Sequence, residues 1–546
     1  MTAAAFDTQR HASTMRDRGY WLDRTVDEYF VEAVKRTPDK PAIVAHRADT
    51  GQVQRLSFRE LEDMVSRAAA ALRGLGVVPG DVVAVQLPNW WQFAVAALAC
   101  GRLGAVVNPL MPIFRERELG YMLGFAEAKV LIVPRMFRGF DHEAMAEGLR
   151  TELPALQQVV VVEGQGANSF DAMLLQRGAE LPAPTAGTSS ALRPDALAVM
   201  IFTSGTTGSP KGVMHTSNTL IACVNALSGR FGLDADDVLL ACSPLGHMTG
   251  YAAVLLLGMR LGATVVMQDV WEAKRGVSLM ATEGVTYTAA STPFLSDICE
   301  TVAGGAPRPQ RLRSFLCGGA PIPPVLIERA ARDLDLKVCS LWGMTESLSS
   351  TLTEPDRAAD KSAKTDGRPL DGVDVQIVDD DGQPKPVGET GRLMVRGAQM
   401  FVGYFKRPEL PTFNAQGWFD TGDLACMDDE GYIRINGRTK DVLIRGGENV
   451  PVVEIEGLLY KHRAVAAASI VGYPDARLGE RACACVVLHP GATLTMAELQ
   501  TYMLECKVAK QYWPERVAIL DALPCTPSGK VQKFKLREIA ARGADA

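Results

Sequence analysis

Residues 203–213, TSGTTGSPKGV, put three glycines, five hydroxyl side chains and one lysine into one short stretch. Without a Cβ, glycine lets successive backbone N–H groups turn toward a single anion. Ser204, Thr206, Thr207 and Ser209 add hydroxyl donors, and Lys211 adds a mobile positive charge. Such a stretch suits a phosphate cradle, with Thr203, Ser204, Gly205, Thr206, Thr207, Gly208 and Lys211 as candidate contacts. The apolar run before it, LAVMIF at 197–202, predicts a buried strand, and the segment from Val213 onward predicts a helix. The stretch is not a P-loop: Pro210 precedes the lysine and Gly212 follows it, where that motif needs a glycine and a hydroxyl.

Other stretches carry chemistry of the same kind. Neutralising a pyrophosphate calls for lysine or Mg2+, and WGMTES at 342–347 offers Thr345 and Glu346 behind Trp342, Gly343 and Met344. CGGAPIP at 317–323 sets Gly318, Gly319 and Ala320 after an apolar run, where a flat ligand can lie against backbone. FDTGD at 419–423 ends in Asp423, a carboxylate able to accept from two neighbouring hydroxyls, and Arg438 follows fifteen residues later. PLGHMTG at 244–250 presents His247. RGGEN at 445–449 presents Gly446, Gly447 and Glu448, and TPSGK at 526–530 presents Lys530 on a Ser-Gly turn, ahead of Lys533, Lys535 and Arg537.

In order and spacing these stretches resemble the motifs of the adenylate-forming superfamily: acyl-CoA synthetases, firefly luciferase and the adenylation domains of peptide synthetases. The likeness runs from about residue 25 to 538. It implies an enzyme that uses ATP and Mg2+ to join a carboxylate to AMP, with coenzyme A as the acceptor in a second step. It implies that Thr345 contacts the α-phosphate, that Glu346 holds Mg2+, that Asp423 takes the ribose hydroxyls, and that Arg438 reaches the same hydroxyls or the phosphate. It implies that His247 orders the carboxylate side of the site and that Gly318–Ala320 and Trp342 line the adenine and the acyl pocket; tyrosine is usual in the family where Trp342 stands. Walls of the acyl pocket are expected from His247–Tyr251, Gly318–Ala320 and Trp342. Lys530 resembles the lysine that orients carboxylate and α-phosphate, Gly446–Glu448 the loop lining the pantetheine tunnel, and Lys440 the hinge of a C-terminal domain that rotates between half-reactions.

The bulk numbers agree with an enzyme of this size. A chain of 546 residues is too long for one core. Hydrophobic residues make up 47% and charged residues 22%, and the net charge of −6 argues against a nucleic-acid partner. Eleven cysteines, scattered, and a polar N-terminus predict reduced thiols and a cytoplasmic protein. Cys483 and Cys485 alternate on one strand face without making a metal site. The longest apolar run, YAAVLLLGM at 251–259, is too short to span a membrane and predicts a core helix.

Strands and helices alternate along the first two thirds. Helices are expected at 25–35, at 56–77 with a Ser57/Glu60 capping box, and at 90–103. Strands are expected at 82–88, 105–112, 128–134, 159–163, 237–244, 264–268 and 313–321. This predicts an α/β fold with parallel-rich sheets flanked by helices. From about 369 to 439 short alternating strands predict a β-rich subdomain, and 440–546 a small, mobile α+β cap with its hinge at Lys440. The 445–456 stretch is expected as strand and loop, and the C-terminus as a basic tail.

The leading functional expectation is an acid–CoA ligase for a short- or medium-chain fatty acid or an alicyclic acid such as cyclohexanecarboxylate. An aromatic-acid–CoA ligase, an enzyme that passes its adenylate to a carrier protein or to oxygen, and a nucleotide-binding regulator are the alternatives.

Overall fold

The computed structural model describes residues 6–184, 193–203, 210–319, 322–438, 443–445, 448–475, 477–526 and 531–542. Unbroken Val/Ile/Leu/Ala runs form strands buried on both faces, which is where parallel sheets sit. A six-stranded sheet runs, from one edge to the other, Gln158–Val162, Val130–Pro134, Val82–Val85, Val106–Pro109, β1 (Leu197–Thr203) and β2 (Lys211–Thr216). All its pairings are parallel except the last, where β2 returns antiparallel to β1. The helix α1 (Ser217–Phe231) follows β2.

A nine-stranded sheet carries six central parallel strands, Pro41–His46, Thr264–Gln268, Val238–Ala241, Tyr287–Ala290, β3 (Ser314–Gly318) and β4 (Lys337–Met344). Antiparallel strands close its edges, among them β5 (Leu348–Leu352) beside β4. A four-stranded antiparallel sheet follows, Val373–Val378, Gly391–Gly397, β6 (Phe419–Met427) and β7 (Ile433–Arg438). Residues 443–542 hold a separate sheet with its own apolar cluster around Ile455, Leu459, Ile470 and Leu499. The α/β expectation therefore holds, with the parallel strands central and the β-rich sheet after residue 369.

Local signals in the sequence account for the helix starts. Thr25 and Glu28 cap Val26–Arg36 reciprocally, and Ser57 and Glu60 do the same for Phe58–Gly74, each cap contributing about 1 kcal/mol. Arg102, in the helix Trp91–Leu103, is fully buried and donates to Asp27 Oδ1 at 2.8 Å and Glu62 Oε1 at 2.7 Å, joining three helices.

Three expectations are corrected. The segment from Val213 is strand until Thr216, because both edges of β2 find backbone partners; the helix begins at Ser217 under a Thr216 cap. The 445–456 stretch is a hairpin of Leu443–Arg445 and Glu448–Val450 followed by a helix, Val452–Leu459, whose Ile455 and Leu459 fill the C-terminal core. The basic tail is a helix, Lys533–Arg542, which buries Leu536 and Ala540.

Candidate active site

Thr203 and Lys211 face each other as the last paired residues of the β1–β2 hairpin, so they stand at the mouth of the glycine-rich stretch. The free edge of β2 is taken up by residues 402–405: Met214 N donates to Gly403 O at 3.1 Å and Phe405 N to Gly212 O at 2.8 Å. Alternation along β2 puts Lys211, Val213 and His215 on one face. Tyr404 lies opposite Val213.

The turn Thr345–Ser347 joins β4 to β5. It is a three-residue hairpin loop followed by Leu348 in the left-handed region, φ 53°. Gly343 permits it: a Cβ there would sit 1.9 Å from the Leu348 carbonyl oxygen. The turn is held from outside. Phe401 N donates to Glu346 O at 2.8 Å, and Gln399 Nε2 donates to Ser347 O at 2.9 Å. His215 Nε2 lies 2.7 Å from Thr345 O. Tyr404 Oη donates to Glu346 Oε1 at 2.9 Å, and Lys211 Nζ sits 5.0 Å above the Tyr404 ring. Burial, with the Glu346 charge behind it, pushes the Tyr404 hydroxyl well above its usual value, so it stays a donor. Lys211, Tyr404 and Glu346 thus form one line of contact, 135 residues apart in sequence at its ends.

A second cluster adjoins it on β4. Trp342 Nε1 donates to Asp423 Oδ2 at 2.8 Å, with both residues buried. Asp423 in turn stands directly opposite Arg438 in the β6–β7 ladder. Gly318 is paired with Leu341, the neighbour of Trp342, and Gly319 has φ +83°, which glycine alone adopts cheaply. Met344, Gly343 and Trp342 close β4 beside these glycines.

His247 is half-buried, and its Nδ1 accepts from Thr249 N at 3.2 Å, capping the turn Met248–Gly250. The loop before it is shaped by Asn89, which donates to Ala241 O and Ser243 O and accepts from Leu245 N. A cavity of about 270 Å3 opens farther along, lined by Tyr251, Leu255, Leu256, Leu98, Val107 and Val199 among others. Of the expected acyl-pocket walls only Tyr251 lines it; His247, Gly318 and Trp342 do not, since the cavity lies toward the N-terminal ends of β1 and Val106–Pro109.

Ser204, Gly205, Thr206, Thr207, Gly208, Ala320, Lys440, Gly446, Gly447 and Lys530 lie outside the described residues, as do the side chains of Arg438 and Glu448. His215, Tyr404 and Gln399 are additions that motif reading missed. Tyr404 carried a faint signal, an aromatic pair in GYFKRPELP; His215 and Gln399 carried none.

Similarities to known proteins agree with this geometry. The AMP-binding enzyme family matches residues 30–405, and the AMP-binding enzyme C-terminal domain matches residues 454–530. The chain is 35% identical over 536 residues to a medium-chain fatty-acid–CoA ligase of Escherichia coli (strain K12), covering 98% of this chain and 93% of that protein. It is 36% identical over 530 residues to a salicyl-AMP ligase / salicyl-S-ArCP synthetase of Mycobacterium tuberculosis, covering 96% and 92%. ATP-bound MatB from Rhodopseudomonas palustris superposes with a TM-score of 0.82 at 27% identity, covering 94% of this chain and 98% of that one. No helix among the described residues is long and apolar enough to cross a membrane. The chain belongs to the AMP-binding enzyme family, and it is an acid–thiol ligase of the adenylate-forming superfamily.

Proposed function

We propose that the protein is an ATP-dependent carboxylic acid–CoA ligase for a medium-chain or alicyclic acid. The acid's carboxylate oxygen attacks the α-phosphorus of ATP, giving an acyl-adenylate and pyrophosphate. The thiol of CoA then attacks the acyl carbon, loses its proton, and releases AMP as the thioester forms. A carboxylate is ionised at neutral pH, so the first step needs no general base. It needs positioning and charge, which this site can supply.

The observation that carries the reading is the line Lys211–Tyr404–Glu346 beside the Trp342–Asp423 pair. Lys211 and the 203–208 stretch take the phosphates, Thr345 the α-phosphate, and Asp423 with Arg438 the ribose. Gly318–Ala320, Trp342, Gly343 and Met344 wall the adenine. Mg2+ suits this donor set, since that ion binds through one or two carboxylates plus substrate phosphates; Glu346, fixed by Tyr404, would hold it, and the ion would offset charge on the departing pyrophosphate. Lys530 orients the two anions in the first step. The boundary and hinge are placed at Lys440, with the Gly446–Glu448 loop serving the CoA step. All eleven cysteines are free thiols, which suits the cytoplasm.

For the acid, support comes from the 35% identity over 536 residues to a medium-chain fatty-acid–CoA ligase. The 36% identity to a salicyl-AMP ligase / salicyl-S-ArCP synthetase favours an aromatic acid and a carrier acceptor as the second reading. Rates of CoA-dependent AMP formation with acetate through decanoate, cyclohexanecarboxylate, benzoate and salicylate separate the two. Each added CH2 should improve kcat/KM up to about fourfold, from ~0.8 kcal/mol of transfer energy, until the acyl pocket is full. Salicylate as the best acid, with no dependence on CoA, would favour the second reading.

A further inference from the structure

His215 is fully buried at the far end of the β2 face that carries Lys211. Its Nε2 lies 2.7 Å from the carbonyl oxygen of Thr345, which can only accept, so Nε2 bears the hydrogen. Burial holds the imidazole down at about 4, so the ring is neutral and Nδ1 is bare at physiological pH. Nδ1 lies 3.1 Å from Thr219 Oγ1, whose hydroxyl can donate to it. Thr219 is itself fixed by the cap of α1: Thr216 N donates to Thr219 Oγ1 at 3.0 Å. The Thr345 carbonyl therefore imposes the tautomer, and the helix cap steadies the ring orientation.

Other holds on the 345–347 turn come from segment 399–404 and from Ser350, whose Oγ donates to Ser347 Oγ at 2.7 Å. His215 comes from β2, the strand that follows the glycine-rich stretch and carries Lys211. We propose that His215 is a positioning residue for adenylation, tying the Thr345 carbonyl to the strand that presents Lys211 so that the two phosphate-contacting elements keep one fixed separation. The inference rests on the reading of Thr345 and Glu346 as phosphate and metal contacts. His215 touches no substrate and acts through Thr345. Thioester formation from a finished adenylate does not need that separation, because the pyrophosphate has left.

The test compares His215→Leu and His215→Gln in two half-reactions: ATP–pyrophosphate exchange with octanoate, and conversion of supplied octanoyl-adenylate to octanoyl-CoA. His215→Leu should lower the exchange kcat about 100-fold, the cost of a misplacement near 1 Å. Its KM for ATP should stay within roughly threefold, the mark of an interaction used in the transition state, and conversion of the adenylate should proceed at the wild-type rate. His215→Gln, whose amide N–H can reach the Thr345 carbonyl, should stay within about tenfold of wild type in exchange. Wild-type exchange by His215→Leu, equal loss in both half-reactions, or a glutamine variant as poor as the leucine one would each overturn the inference. If His215→Leu exchanges normally while Glu346→Gln does not, this inference alone fails; a wild type that exchanges with no acid overturns the functional reading, and this inference with it.

Discussion

The indole N–H of Trp342 donates to Oδ2 of Asp423 at 2.8 Å, joining the end of β4 to the β6–β7 ladder. Both side chains are buried, so the bond is shielded from water and fixes the orientation of the carboxylate. The indole combines a flat aromatic face with a donor aimed at the carboxylate. Trp342→Phe keeps a ring and removes the donor. A hydrogen bond to a charged group is worth about 1.5–3 kcal/mol, so the KM for ATP should rise roughly tenfold or more, with kcat little changed. Initial rates at varied ATP check this, and an unchanged KM would mean the bond does not set the carboxylate.

Tyr404→Phe tests the hold on Glu346. The variant loses the hydroxyl that donates to Oε1 at 2.9 Å while keeping the ring under Lys211. Outer partners of a metal-binding carboxylate are worth 10–100-fold in affinity, so half-saturation by Mg2+ should shift upward by about tenfold. Mn2+ titration followed by electron paramagnetic resonance, with ATP present, gives the same quantity without turnover.

Arg102→Leu tests the scaffold. Arg102 and Asp27 are both fully buried, so the leucine leaves a carboxylate without its counter-charge, at a cost of about 3–5 kcal/mol. Urea unfolding should show that loss as a lower midpoint with an unchanged slope. A shift under about 1 kcal/mol would say that the neighbouring groups already compensate the buried charge.

The largest histidine contributions to the pH dependence of stability come from His142 and His215. Both are buried and held at about 4, against an ordinary 6.5: His142 by burial and then Arg115, and His215 by burial. Between those values the unfolded chain binds more protons than the folded one, so stability is full above pH 6.5 and falls as pH drops toward 4. Each histidine contributes roughly 3 kcal/mol to that fall. Chemical denaturation at a series of pH values from neutral down to about 4 should trace it, and His215→Gln should make it shallower.

Much of this fold was written locally. Capping residues at Thr25, Ser57 and their partner glutamates mark helix starts, and unbroken apolar runs mark the parallel strands. The strand at 211–216 escaped because its apolar spacing does not separate strand from helix; pairing with β1 and residues 402–405 decides it. At the site, residues inside motifs were legible because Gly, Thr and Glu recur at fixed offsets. His215, Tyr404 and Gln399 were not, because their roles exist only through contacts made across more than 50 residues of chain.

The central claim is that Lys211, Thr345 and Glu346 assemble a site where a carboxylate displaces pyrophosphate from ATP. Exchange of labelled pyrophosphate into ATP, with Mg2+ and the acid series, tests it most directly. The wild type should exchange only when an acid is present, and Glu346→Gln should slow it by about 100-fold or more. A wild type that exchanges with none of the acids, or a Glu346→Gln variant as fast as the wild type, would contradict the account.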